Sequence, residues 1–470
     1  MKLLSAEEKK YLEGLFVSPK NIYLIGIGGV GMSALAKVLV HLGHHVTGSD
    51  AKQSPYLDSL IERGVKITFN QKEPDLKGMD FMIYSSAISE NHPEFIAAGR
   101  HSIPLFHRAH ILSFILNRYI SVAVTGTHGK TTTSAMISFL LKELGANPTC
   151  LVGSKMCNTG DNVILGDRRI FVAEVDESDG TQAYYTPTYS VMTNLDDDHM
   201  DYYQTLDHLV ESFEALASRT HESGFVVYSY EDENLRQIMK KQSRAKISYG
   251  FSKDADFYAE SISQEGFQTS YRLFHHGKFL SEITLQVPGR HNVLNSLGSM
   301  GLLYTLGYDR ERLKEIIAKF QGTSRRLEIK YNSPNLLVID DYAHHPTEVQ
   351  ASLSAIKRLG RKMCVVFQPH RFSRTKYLAK AFGEAFSLAE QVIVTDVYSA
   401  GEKSIGEVDA NLIFKEVKAS RHPNVQLMSR DKIIDFLLED SKNYGLVAFL
   451  GAGDIGELAN DFAGRIEDRA

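Results

Sequence analysis

Residues 126–132 read Gly-Thr-His-Gly-Lys-Thr-Thr, a glycine-bearing turn with a lysine and a hydroxyl directly behind it. Backbone N–H groups in such a turn cradle phosphate oxygens, Lys130 supplies a point charge for the β- and γ-phosphates, and Thr131 offers a hydroxyl to Mg2+. The full G-x-x-x-x-G-K-[ST] pattern is not met, because Val124 stands at its first glycine position. The loop is a shortened variant with the same physical parts. Glu174 in EVDESD, and Asp198, His199 and Asp201 in LDDDHMD, follow at the ends of two strand-like runs. A phosphate-loop fold keeps its metal ligands there; a carboxylate is ordinary Mg2+ chemistry, whereas His199 is less expected because Mg2+ prefers oxygen. Asp176, Glu177 and Asp197 read equally well as solvated loop acids or helix caps. The chemistry expected is binding of ATP or another nucleoside triphosphate with a divalent metal. His128 either touches phosphate or shapes the loop.

Two further loops carry chemistry. Gly26-x-Gly28-x-x-Gly31 follows a strand-like run and opens a helical one, with Asp50 at the end of the next strand. That context meets the dinucleotide fingerprint and predicts a diphosphate site at a helix N-terminus, not necessarily for NAD. The alternative is a loop that simply needs glycine. His344 and His345 before Pro346, with His370, Arg371 and Arg374, place cations and donors on neighbouring loops. Arginine suits a carboxylate held bidentately. Either these loops grip a small acidic substrate opposite ATP, or they pair with acidic neighbours across a domain contact.

The elements that must position these loops recur as a short apolar run, a Gly-rich or polar loop, and a helical stretch. This is the rhythm of parallel α/β construction. NIYLI (21–25) with GIGGVG and a helix ending near Gly43 opens the first segment, followed by HHVTGSD, FMIYSS and SIPLF. ISVAVTGTHGKTTT restarts the pattern, with a helix expected to Leu144, then IFVAEV (170–175) and YSVMTNL (189–195). From 255 to 288 alternating strands with turns at Glu265-Gly266 and His276-Gly277 predict an antiparallel annex. NLLVIDDYAHHP starts a third segment, with Pro346 in the first turn of a helix through Leu359 and the strands MCVVFQ, QVIVTDV and LVAFLGAG after it.

Composition bounds the reading. With 470 residues, 43% hydrophobic and 23% charged, the chain is an ordinary globular protein of about three domains. Its 52 Lys and Arg against 57 Asp and Glu give a net charge of −5, so no bulk attraction favours nucleic acid or an anionic membrane. Cys150, Cys157 and Cys364 form no C-x-x-C pair, which fits a reducing compartment, and no apolar run is long enough for a membrane span. A cytoplasmic protein is expected.

Taken together, GIGGVGM, TGTHGKTTT, EVDESD, TNLDDDHMD, PGRHNVLN, SRRLE, DDYAHHPTE, QPHRFSRT and SAGEKSI resemble, in order and general spacing, the Mur ligase family. These are ATP-dependent enzymes that add amino acids to peptidoglycan precursors. The resemblance implies three α/β domains: an N-terminal Rossmann-like domain (1–118) for a UDP-sugar, a central phosphate-loop ATPase-like domain (119–330) with the antiparallel annex, and a C-terminal Rossmann-like domain (331–470) for an amino acid. It implies ligation of L-alanine to the carboxylate of UDP-N-acetylmuramate through an acyl phosphate. By the same resemblance Gly126, Thr127, His128, Gly129, Lys130, Thr131 and Thr132 surround the phosphates of ATP, Asn292 and Asn295 face adenine, and Asp340 or Asp341 reaches the ribose. Arg326 crosses from the third domain toward the phosphates. Mg2+ or Mn2+ sits at Thr131, Glu174 and His199. The UDP-sugar meets Gly28, Gly29, Val30, Gly31, Met32, Ser49, Asp50, Ser86 and Arg108, and L-alanine meets Tyr342, His344, Arg371 and Arg374. Lys130, His199, Arg326 and His344 are the catalytic set implied. The partners implied are small molecules, with no nucleic acid and no membrane insertion, and the protein is expected as a monomer or weak homodimer.

Several relatives bridge a second metal with a carbamylated lysine shortly after the D-H-x-D motif, but no lysine occurs here between His199 and Lys240. That absence matches the alanine-adding branch. The nearest rival is a recycling ligase that attaches a whole tripeptide to the same UDP-sugar, whose first loop is less glycine-rich. A folylpolyglutamate-synthase-like ligase lacks the N-terminal diphosphate loop. An NAD-dependent dehydrogenase accounts only for the first quarter of the chain, and a non-enzymatic ATP switch leaves the third segment's arginine and histidine loops without purpose.

Overall fold

Three sheets carry the loops identified above. The computed structural model describes residues 5–69, 74–167 and 169–469. The first sheet is all parallel, in the order β3-β2-β1-β4-β5, built from β1 (Asn21–Ile25), β2 (His45–Asp50), β3 (Lys66–Phe69), β4 (Phe81–Tyr84) and β5 (Leu105–His107). Its middle strands are apolar on both faces, as burial under helices on either side requires. The diphosphate-type loop joins β1 to the helix Val30–His41.

The second sheet has ten strands in the order β15-β14-β13-β12-β11-β10-β6-β9-β7-β8. Its parallel body comprises β6 (Ile120–Thr125), β7 (Thr149–Leu151), β9 (Ile170–Glu174), β10 (Tyr189–Met192), β11 (Phe225–Ser229) and β12 (Ala245–Gly250), with β8 (Val163–Ile164) antiparallel at one edge. The antiparallel annex is β13 (Phe257–Glu265), β14 (Gln268–His275) and β15 (Lys278–Leu285), turning at the two expected places. It extends the central sheet through a two-residue parallel pairing of Tyr249 and Gly250 with Phe257 and Tyr258.

The third sheet runs β16-β17-β21-β18-β19-β20. Five strands are parallel: β17 (Leu337–Asp341), β18 (Met363–Phe367), β19 (Gln391–Val394), β20 (Val425–Leu427) and β21 (Leu446–Leu450). An antiparallel edge strand, β16 (Glu328–Asn332), was not anticipated; its half-exposed residues give a weak apolar signal. The helices expected after Gly129 and His345 run Lys130–Glu143 and Pro346–Lys357.

The cores divide unevenly. One continuous apolar cluster joins the first domain, through residues such as Leu35, Ile111 and Leu116, to the central domain at Ala173, Leu195 and Phe213. The third domain has two clusters of its own, on the two faces of its sheet. No helix among the described residues is long and apolar enough to cross a membrane.

Candidate active site

The loop after β6 turns where Gly129 takes φ +82°, a conformation glycine adopts without steric cost. A Cβ there would lie 2.6 Å from Asn295 Oδ1, so the helix Arg290–Thr305 packs against the turn. The Lys130–Glu143 helix starts with no side-chain cap, leaving its first N–H groups directed at a ligand. Lys130 Nζ donates to Gly126 O at 2.5 Å and Thr127 O at 3.1 Å, and lies 2.8 and 2.9 Å from the two Glu177 oxygens. Burial works against its charge, but Glu177, Asp176 and Glu174 raise its pKa in spite of that.

Thr131 Oγ1 donates to Glu174 Oε1 at 3.1 Å, while Gly153 N donates to Glu174 Oε2 at 2.9 Å. Burial raises the Glu174 pKa against the opposing pull of Lys130. His199, with φ +60°, brings Nε2 to 3.4 Å from Glu177 Oε1 and 3.7 Å from Asp198 Oδ2. A hydroxyl bonded to a carboxylate fits a hard divalent cation, and a histidine with one ring nitrogen on a buried carboxylate is the usual arrangement around a metal. The structure therefore joins Lys130, Thr131, Glu174 and His199. It adds Glu177, fully buried between Lys130 and His199, which sequence reasoning left among solvated acids. The only signal for it is the density of acids in EVDESD. The side chain of Asp201 lies outside the described residues.

His128 is resolved by its surroundings. Nε2 lies 3.0 Å from Asp196 Oδ2 and Nδ1 3.2 Å from Glu348 Oε1. Both neighbours are carboxylates, so the doubly protonated ring donates to each. Burial alone would lower the pKa, but the bonds to Asp196 and Glu348 raise it to about 9. Together with His345, His128 and Asp196 present ligand atoms within 4.8 Å of one another. In the structure this cluster is an ion-pair network, with the His128 ring set between two carboxylates.

The third domain's loops meet this cluster. Arg326 Nη1 is 3.7 Å from Glu348 Oε1, and its guanidinium stands 5.1 Å above the Tyr342 ring. His344 Nδ1 faces Tyr342 O at 2.9 Å and Glu348 Oε2 at 3.2 Å. Two acceptors fix the proton on Nδ1 and leave Nε2 as an acceptor. Burial pushes the His344 pKa down to about 4, so the ring is neutral at neutral pH. Arg371 starts the helix Phe372–Ala385 with φ +67° and donates its N–H to Tyr398 O at 2.8 Å.

Several expected residues take other roles. Asp340 is buried against Arg325 at 3.1 Å, and Asp341 accepts from the N–H groups of Leu327 and Ala343 and from Ser352 Oγ. Burial raises the Asp341 pKa to about 6. Both lie on β17, all five of whose residues are buried, and each has protein partners already. Arg374 does not open onto a substrate space but pairs with Asp198, realising the domain-contact alternative. Asn292 Nδ2 donates to Pro288 O, Asn295 Nδ2 to Asn292 Oδ1, and Thr133 Oγ1 to Asn295 Oδ1, so both carboxamides hold the helix behind the phosphate loop.

In the first domain, Gly28 N donates to Asp50 Oδ2 at 2.7 Å, and the Arg108 side chain fills the space a Cβ on Gly31 would need. Gly29 is exposed and Val30 half-buried at the same helix N-terminus. Ser86 Oγ bonds His107 Nε2 at 3.1 Å and reaches Asp179 of the central domain. Two expected residues turn inward: Ser49 Oγ donates to buried Glu94 at 2.5 Å, and the Met32 side chain belongs to the core. Asp176 links this loop to the phosphate loop; burial opposes its ionisation, but Lys130, His199 and Arg108 together hold its pKa low.

Comparison with known proteins agrees along the whole chain. The Mur ligase family catalytic domain matches residues 21–120, the Mur ligase middle domain 124–303, and the Mur ligase glutamate ligase domain 325–453. UDP-N-acetylmuramate–L-alanine ligase from Caldanaerobacter subterraneus subsp. tengcongensis is 38% identical over 450 residues, covering 94% of this chain and 97% of the relative. The crystal structure of UDP-N-acetylmuramate–alanine ligase from Thermotoga maritima superposes with a TM-score of 0.83 at 30% identity, covering 96% of this chain and all of that one. A murein peptide ligase from Psychrobacter arcticus shares the fold, with a TM-score of 0.73 at 22% identity over 95% of this chain and 99% of that one.

Proposed function

The chain belongs to the Mur ligase family, and from that premise we propose how its residues carry out the ATP-dependent ligation of L-alanine to UDP-N-acetylmuramate in peptidoglycan synthesis. A carboxylate is a poor acyl donor because its leaving group would be oxide. Transfer of the γ-phosphoryl group to the muramate carboxylate gives ADP and an acyl phosphate. The amine of L-alanine then attacks the acyl carbon, loses a proton, and the tetrahedral adduct expels phosphate.

Two anions must approach for the first step, and neutralising them is the main electrostatic demand. Lys130 and the free N–H groups of residues 130–132 answer it from the central domain, and Arg326 from the third. Thr131 and Glu174, with His199, would hold Mg2+ or Mn2+, which supplies further charge neutralisation when bound. Glu177 keeps Lys130 and His199 in place before substrates arrive. Arg108 with Gly28, Gly29, Val30, Gly31, Asp50 and Ser86 forms the UDP-sugar end, and Tyr342 and Arg371 the amino-acid end. Neutral His344, its Nδ1–H held by Tyr342 O and Glu348, offers Nε2 as a hydrogen-bond acceptor that orients the attacking amine rather than as a strong base. The proposed domain limits 1–118, 119–330 and 331–470 divide these tasks, except that Arg326 and the edge strand Glu328–Asn332 go with the third domain, which moves the last limit to about residue 325. The enzyme works in the cytoplasm as a monomer or weak homodimer.

The observation carrying the residue assignment is the convergence of Lys130, Glu174 and His199 from three separate loops around Glu177 and Asp176. Incubation with ATP, Mg2+, UDP-N-acetylmuramate and either L-alanine, glycine, L-serine or the tripeptide, followed by mass analysis, tests the reading. The L-alanyl product is expected, and none from Lys130→Ala. Product from the tripeptide alone, or undiminished turnover in Lys130→Ala, overturns it.

A further inference from the structure

Glu348 is the third helical residue of Pro346–Lys357 and completes a capping box with His345. A cap needs one backbone N–H. Glu348 Oε2 accepts two, from His344 at 3.1 Å and His345 at 3.3 Å, and also faces His344 Nδ1 at 3.2 Å. Its other oxygen takes His128 Nδ1 at 3.2 Å and faces Arg326 Nη1 at 3.7 Å. The side chain is 11% exposed. One buried carboxylate thus touches the phosphate loop, the arginine proposed above to neutralise the phosphates, and the histidine of the amino-acid loop.

We propose that Glu348 is a positioning residue that sets the nucleotide loop and the amino-acid loop of the ligase against each other, so that ATP and L-alanine are held in register. The proposal deepens the ligase reading above and rests on it. Two physical consequences support it. First, a carboxylate on His344 Nδ1 fixes which ring nitrogen carries the proton, and so directs Nε2 toward the reacting amine. Second, the same carboxylate compensates half-buried Arg326 and His128, and removing it leaves each cation with one fewer partner, an unfavourable outcome for an ion network. Glu348 acts through His128, Arg326 and His344.

The test compares wild type with Glu348→Gln, His128→Asn and the double variant in steady-state kinetics. Glu348→Gln keeps an oxygen for the cap but loses the charge. It is expected to raise KM for both ATP and L-alanine about tenfold while leaving KM for UDP-N-acetylmuramate within about twofold. The double variant is expected to raise the ATP KM no further than the worse single variant, the non-additivity of residues in one network. Unchanged KM values with a lowered melting temperature would mean a helix cap only, and fully additive effects would deny the coupling; either overturns the proposal. Glu348→Asp, which keeps the charge but withdraws the carboxylate by one methylene, guards against misfolding and is expected to show the same two KM changes. Calorimetric binding of a non-hydrolysable ATP analogue, expected about tenfold weaker in Glu348→Gln, needs no ligation. Failure of the ligase reading, seen as no L-alanyl product in wild type, is therefore distinct from failure of this one, seen as unaltered analogue binding.

Discussion

The guanidinium of Arg374 lies across the carboxylate of Asp198, with Nη2 3.0 and 3.1 Å from its two oxygens and Nε 3.1 Å from Oδ1. Each side chain is only 8% exposed. The flanking aspartates also reach the third domain: Asp197 accepts from Tyr377 and Asp196 from Thr347, both at 2.8 Å. Three consecutive acids after β10 therefore each hold one group of the facing domain. Burial opposes ionisation of Asp198, and Arg374, with His199, His344 and His345, more than offsets it, so its pKa is lowered.

Removing one member of a buried pair leaves a stranded charge, a loss of about 3–5 kcal/mol. Arg374→Ala is therefore expected to detach the third domain, seen as a larger radius of gyration in small-angle scattering and faster proteolysis near 320–330. Asp198→Asn combined with Arg374→Gln strands no charge and is expected to recover much of the compact form. An unchanged radius in Arg374→Ala would count against the pair as the clasp.

A second expectation concerns pH. The His128 pKa rises on folding from an ordinary 6.5 to about 9, so its stabilisation is complete below pH 6.5 and lost as pH climbs through 9. Asp196 is shifted the other way, chiefly by the hydrogen bond from His128. Its contribution is present above its ordinary 3.8 and disappears as pH falls into the acid range. At about 1.4 kcal/mol per pKa unit, wild type should lose about 3 kcal/mol of stability between pH 6.5 and 9.5 through His128. Denaturation at both pH values checks this; His128→Asn should lack that loss, and an equal loss there would refute it.

Gly129→Ala should be severe. Its φ of +82° disfavours any side chain, and the new Cβ would meet Asn295 Oδ1 at 2.6 Å. Adding Asn295→Ala relieves the contact but not the backbone cost, which is about 1–2 kcal/mol for an L-residue in this region. ATP-analogue binding measured by calorimetry should fall at least tenfold in the single variant and recover only in part in the double. Full recovery would show that only the contact mattered.

Much of this architecture was legible because it is local. The strand–loop–helix starts at 21, 120 and 337, the two hairpin turns and the Lys130-Thr131 pair are written in neighbouring residues. That the hairpins join the central sheet depends on only two paired residues, Tyr249 and Gly250, and no periodicity reveals such a short contact. The protein partners of strand-end side chains were less legible. Ser49, Asp340 and Asp341 lie near strand ends where ligand groups are expected, yet each points into its own domain, and strand position alone does not say which face a side chain takes. Glu348, and which acid Arg374 would pair with, were hidden for the converse reason: their partners lie 220 and 176 residues away, and only domain docking brings them together.

The unequal cores have a mechanical consequence. The first and central domains share oily packing that only unfolding would separate, whereas the third is clasped beside the active site by charges and hydrogen bonds. The third domain is thus the one expected to move, held by a clasp that is buried and so only weakly screened by salt. Opening for product escape should then respond little to ionic strength but strongly to loss of either partner of the Arg374–Asp198 pair, while the grip on the UDP-sugar, seated beside the shared core, changes little.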